Sequence, residues 1–265
     1  MTRPLLDVIG LTKHFIGLIA VHQVDMAVNA GTIHGLIGPN GAGKTTLFNL
    51  ISGLLSANDG DIRLDGHSLI GEPIYTRAQC GIARTFQNIR IFEDMTVLEN
   101  VATGGHSRLA ASALAALFRL PGFRAEERAL RAHAMELLEF VGLANRAGEC
   151  AADLPYGDQR RLEIARALAA KPRLLMLDEP AAGMNPRETE ALVGLVRRLR
   201  ERGVTVLVVE HDMSFIMDLC DRITVLNFGC RIAEGTPAEV RQTPEVIEAY
   251  LGVRGAARLA ARRPV

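Results

Sequence analysis

The sequence predicts an α/β fold of the phosphate-loop type, with a parallel core sheet, an N-terminal antiparallel β-subdomain and an inserted helical subdomain. Three observations carry this. Gly38-Pro39-Asn40-Gly41-Ala42-Gly43-Lys44-Thr45-Thr46 lies between an apolar run and an amphipathic segment. Apolar runs separated by helical stretches recur in the last third of the chain, as in a parallel sheet covered on both faces. Between them the composition shifts towards Ala, Leu, Arg and Glu at helical spacing.

At the N-terminus, Leu5 to Gly10, Val24 to Val28 and Asp61 to Asp65 are short runs divided by Gly, Asn and Asp, which predict a small antiparallel sheet. Ile33-His34-Gly35-Leu36-Ile37 reads as a buried strand, and Leu47, Leu50, Ile51 and Leu54 follow at helical spacing. Strand, glycine loop and helix thus arrive in the order that a phosphate site requires. Glycines let the backbone turn its N–H groups onto a phosphate at a positive helix N-terminus. Lys44 then reaches the β and γ phosphates, the Thr45 hydroxyl ligates Mg²⁺, and Thr46 lies nearer the α and β phosphates.

From about Met95 to Asp153 the spacing of residues such as Leu137, Leu138 and Val141 predicts a helical lobe, interrupted at Pro121-Gly122. Leu154 to Leu168 begins as a turn and continues as a helix with Leu162, Ala165 and Leu168 on one face. Apolar strands follow at Leu174 to Leu177, Val204 to Val209 and Ile223 to Leu226. The first ends in Asp178-Glu179, at the sheet edge where ligands of open α/β sheets gather. Beside a phosphate loop, Asp178 would hold Mg²⁺ through its water shell and Glu179 would act as general base on the attacking water. Arg254 to Val265 forms a tail with four arginines among small residues, read as a solvated end.

With 265 residues, 48% of them hydrophobic, the chain has enough apolar material for a large core. Thirty basic and thirty acidic side chains leave no net field to attract nucleic acid non-specifically. Cys80, Cys150, Cys220 and Cys230 form no paired motif, which argues against zinc or a disulfide framework and for a reducing cytosol. The start Met1-Thr2-Arg3-Pro4 predicts no secretion signal, and no run approaches the roughly 20 apolar residues of a membrane span. A membrane role is therefore expected through a partner.

The segment Leu154-Pro155-Tyr156-Gly157-Asp158-Gln159-Arg160-Arg161, about twenty residues before the Asp-Glu strand, resembles the Leu-Ser-Gly-Gly-Gln signature of ABC transporter ATPases. By that resemblance the domain covers 1–253, with a nucleotide-binding core at 1–94 and 161–253, a helical lobe with the signature at 95–160, and the tail at 254–265. Phe15 looks like the aromatic that stacks on adenine, Gln87 like the loop glutamine on Mg²⁺ or the attacking water, and His211 like the switch histidine on the γ phosphate. Ala182-Gly183-Met184-Asn185-Pro186 looks like the loop that communicates between two such subunits.

Arg84-Thr85-Phe86-Gln87 through Phe92, Tyr156 through Arg166 and Asp178 through Pro186 narrow the resemblance to LivG-type subunits of branched-chain amino-acid importers. Glu234-Gly235-Thr236-Pro237, Val246 to Gly252 and the helical length between Gly104 and Glu126 agree, the last being absent from the lipopolysaccharide-export relative. The resemblance implies ATP and Mg²⁺ as cofactors and a place on the cytoplasmic face of the membrane. It also implies two transmembrane permease subunits, a second ABC ATPase subunit as heterodimer or homodimer, and an external solute-binding protein. Motors of urea, amide or lipopolysaccharide systems remain alternatives. A soluble ATPase acting on nucleic acid or ribosomes would want tandem cassettes or coiled coils, and a GTP switch an Asn-Lys-x-Asp motif; neither pattern is found.

Pro155 stands where the signature has serine, Asp158 where it has glutamine, and Asn185 where many relatives have aspartate. Pro155 brings neither a hydroxyl nor an N–H, and Asp158 brings negative charge towards a phosphate. Where the partner subunit carries an ordinary signature, the ATP site completed by this signature is expected to be weaker than the site built on Lys44, unless backbone donors around Gly157 suffice.

Overall fold

The computed structural model describes residues 3–106 and 121–250; the arginine-containing tail lies outside them, as does part of the segment between Gly104 and Glu126. Among the described residues, ten strands form two sheets. The first orders β2 (Leu18–Val28), β1 (Leu6–Phe15), β4 (Asp59–Leu64) and β5 (His67–Ser68), all antiparallel. The second orders β10 (Cys230–Gly235), β9 (Arg222–Asn227), β3 (Ile33–Ile37), β8 (Thr205–Val209), β7 (Leu174–Asp178) and β6 (Ile82–Arg84). Its ladders are parallel except at the β9–β10 edge.

β1 and β2 run further than the alternation indicates, to a turn at Ile16-Gly17, because register shifts break the period of two midway along the hairpin. Asp65, expected at the end of a strand, instead turns with Gly66, both at positive φ. The helices are α1 (Lys44–Ser52), α2 (Ile74–Gln79), α3 (Val97–Gly105), α4 (Pro121–Val141), α5 (Tyr156–Ala169), α6 (Pro186–Glu201), α7 (Met213–Leu219) and α8 (Pro237–Gln242), with a further helix over 244–250. Leu54 is not on α1: Gly53, at φ +83°, closes that helix and leaves Leu54 half exposed beyond it. Pro121 is the first described residue of α4, and the segment before it, where an interruption at Pro121-Gly122 is expected, lies outside the described residues.

The core strands are buried on both faces, and alternate residues feed two apolar clusters. Leu175, Leu177, Val206, Val208, Ile223 and Val225 pack with α5, α6, α7 and the helical lobe. Leu174, Met176, Leu207, Val209 and Leu226 pack with α1 and the antiparallel sheet. The helical lobe thus shares one core with the sheet, and α5 runs unbroken through residue 160, the expected end of that lobe. All four cysteines are free, and among the described residues no helix is long and apolar enough to cross a membrane.

Candidate active site

Parallel strands β3, β6, β7 and β8 end on one edge of the sheet, and the loop after each carries one of the expected groups: Gly38–Gly43, Gln87, Glu179 and His211. The phosphate loop enters α1 through Gly43, at φ +98°, where any Cβ would run into the Ala20 carbonyl. Gly38 approaches the Leu226 carbonyl just as closely. The first turn of α1 holds no acidic residue and no side chain caps it, so its N–H groups are left for an anion.

A cavity of about 440 Å³ opens over this loop. Asn40, Gly41, Ala42, Gly43, Lys44, Thr45 and Thr46 line it together with Phe15 and Glu179. Gly38 does not line the cavity. Leu18, Ile19, Ala20 and Phe228 complete the lining; no pattern in the sequence singles them out. Lys44 is buried and donates from Nζ to the Gly38 and Pro39 carbonyls at 2.7 and 3.0 Å. Burial lowers its pKa, opposed by the charge of Glu179.

Glu179 holds φ +45°, the left-handed region that a non-glycine residue occupies only when its surroundings enforce it, and its N–H donates to the Val209 carbonyl. Gln87 Nε2 donates to Glu179 Oε2 at 2.9 Å, and His211 Nδ1 lies 3.8 Å from the same oxygen. Two of the expected residues therefore converge on the carboxylate of a third. Behind them Glu210, buried, accepts from the Ala181 and His211 N–H groups, and burial raises its pKa.

Asp178 is buried beside this group, and its Oδ2 accepts from Arg84 Nη2 at 2.7 Å. The Thr45 hydroxyl, the Asp178 carboxylate and the Gln87 amide oxygen are hard oxygen donors with a single charge among them. That set suits Mg²⁺, which takes one or two carboxylates and fills its remaining positions with phosphate and water. Among the described residues no cluster of three or more His, Cys, Asp or Glu side chains forms a closed metal cage.

The signature residues lie elsewhere: none of Pro155, Tyr156, Gly157 and Asp158 lines the phosphate-loop cavity. Pro155 is the N-cap of α5, Gly157 packs against Glu188 of α6, and Tyr156 donates from its hydroxyl to the Ala182 carbonyl at 3.0 Å. Asp158 is not an uncompensated charge: Arg146 and Arg161 pair with its two oxygens at 2.8 and 2.5 Å. Asn185 caps α6, accepting from the Arg187 and Glu188 N–H groups as an aspartate would.

Arg160, wholly buried, donates to the Phe86 and Gln87 carbonyls at 2.7 and 2.8 Å and pairs with Glu163. Glu163 accepts from the Phe86 N–H in turn, so α5 grips the loop that carries Gln87. The sequence shows these residues only as charges three apart on a helix. An apolar cleft of about 610 Å³ lies beside that loop, lined by Leu54, Ile74, Ile82, Phe86, Ile91 and Phe92 among others.

An ABC transporter family model matches residues 21–182, and one for the branched-chain amino acid ATP-binding cassette transporter matches residues 230–256. The chain is 49% identical over 253 residues to the high-affinity branched-chain amino acid transport ATP-binding protein BraF of Pseudomonas aeruginosa, spanning 95% of this chain and 99% of that protein. It is 46% identical to LivG of Escherichia coli over the same shares. The ADP conformation of an ATP-binding cassette of an ABC transporter superposes with a TM-score of 0.82 at 32% identity, covering 95% of this chain and all of the other.

Proposed function

This chain belongs to the ABC transporter ATP-binding proteins, and on that premise we propose that it is the ATPase subunit of a branched-chain amino-acid importer, seated on the cytoplasmic face of the membrane. The convergence of Gln87, Glu179 and His211 beside the phosphate loop carries the reading. Phe15 stacks on the base. Lys44 releases the Gly38 and Pro39 carbonyls to engage the terminal phosphates, while the N-terminal N–H groups of α1 hold the rest. Glu179 accepts the proton of the attacking water, Gln87 orients that water or completes the metal shell, and His211 contacts the γ phosphate. Thr45, Asp178 and Gln87 would hold Mg²⁺, which neutralises phosphate charge in the transition state when bound.

Pro155, Tyr156, Gly157 and Asp158 act on the nucleotide of a second ATPase subunit, in keeping with their absence from the lining of this chain's own cavity. The cleft beside the Gln87 loop receives a cytoplasmic helix of a permease: its wall is apolar, and Phe92, Ile74 and Leu54 stand half exposed on it. ATP binding closes two such subunits and hydrolysis reopens them. Two permeases and an external solute-binding protein complete the assembly.

Co-purification of the tagged chain from mildly solubilised native membranes, with mass identification of its companions, tests this. Two different permeases and a second ATPase are the expected result. Recovery only with ribosomes or nucleic acid would overturn it.

A further inference from the structure

The geometry points to Arg84 as a positioning residue that holds and orients the Asp178 carboxylate towards its metal. Arg84 is the last residue of β6, adjacent to β7, and its guanidinium is almost wholly enclosed. One nitrogen, Nη2, donates to Asp178 Oδ2 at 2.7 Å. The other, Nη1, donates to Asn49 Oδ1 and Ser52 Oγ at 2.7 and 2.8 Å, both on the phosphate-loop helix α1. The Phe48 and Phe86 rings lie 4.9 and 5.4 Å from the guanidinium carbon.

A cation anchored on α1 and walled by two aromatic rings has little freedom to follow a moving carboxylate, so Asp178 is fixed by it rather than the reverse. The fork also ties the strand that ends in Asp178 to the helix that begins with Lys44 and Thr45. The two halves of the metal donor set thus share one rigid bridge. Partners that hold a ligating carboxylate in this way set its affinity for metal, and their loss costs roughly 10–100-fold. Lysine cannot reproduce the arrangement, since it carries one point charge where three acceptors are engaged by a fork.

This inference rests on the proposed metal role of Asp178. The test is equilibrium binding of ATP to the purified chain, in EDTA and over stepped MgCl₂, for the unaltered protein, Arg84→Met, Arg84→Lys and Asp178→Asn. Arg84→Met should raise the Mg²⁺ concentration needed to tighten ATP binding by roughly 10–100-fold, with ATP affinity in EDTA unchanged within about twofold. Arg84→Lys should fall between, which also covers the case in which Arg84→Met does not fold.

An unaltered Mg²⁺ response in the Arg84 variants, with a weakened one in Asp178→Asn, overturns the positioning role and leaves the metal role of Asp178 standing. An unaltered response in all three overturns both. Equal weakening in EDTA and in Mg²⁺ shows a merely structural arginine and also overturns the proposal.

Discussion

At the scale of the residue, the proposed chemistry concentrates on Glu179, whose backbone is held in a left-handed conformation while its Oε2 accepts from Gln87. Glu179→Gln keeps that backbone and can still pair with Gln87, but it cannot take a proton. Turnover should fall at least roughly 10²-fold with ATP binding intact, the scale of a general base; near-normal hydrolysis in a steady-state phosphate assay would remove it from that role. Pro155 leaves the N-terminus of α5 without a side-chain cap. Pro155→Ser would supply a hydroxyl there, and turnover of the assembled complex should rise; no change or a loss would count against a signature weakened by Pro155. The second reason for expecting a weak signature is reduced by the structure, because Asp158 is paired with Arg146 and Arg161. Arg146 is 12 residues away in sequence, and no local pattern announces that contact.

At the scale of the element, strand ends and helix starts decide where the reactive groups stand. Glu210 follows the last residue of β8 and fixes the Ala181 and His211 N–H groups from a buried position. Its carboxyl binds a proton more tightly in the native chain than in the unfolded one, because burial disfavours the charge. The stability it contributes is therefore complete below the ordinary glutamate value of 4.5 and is lost as pH rises through the raised native value. Glu210→Gln should lose less thermal stability than the unaltered protein as the pH rises from about 5 to about 8. Parallel melting curves that keep the same separation across that range would exclude Glu210 as a source of the pH dependence. The continuous apolar runs of the core strands and the glycine loop before α1 are legible because their burial and turn chemistry are local. The hairpin of β1 and β2 is only partly legible, since register shifts break the alternation that a reader follows.

At the scale of the whole molecule, the Arg160–Glu163 pair joins the helical lobe to the loop that bears Gln87. Arg160→Met leaves the Glu163 carboxylate buried without its cation, which should cost about 3–5 kcal/mol in urea unfolding. ATPase activity should also become less responsive to permease, because the Gln87 loop loses two of its anchors. Unchanged stability together with normal stimulation on reconstitution would show that the lobes are joined elsewhere. Sequence alone determines the phosphate loop, the Asp-Glu strand end, the α/β class and the family, because each is written in short segments whose spacing carries the chemistry. Only the tertiary structure decides that Arg84 holds Asp178, that Arg160 holds the Gln87 loop and that Asp158 is neutralised. The Arg84–Asp178, Arg160–Phe86 and Arg146–Asp158 bonds join residues from 12 to 94 positions apart in the chain, and only Arg161, three residues from Asp158, is a local partner. A buried charge is stable only beside a partner, and which partner reaches it depends on how the sheets and helices pack rather than on the neighbours of either residue along the chain.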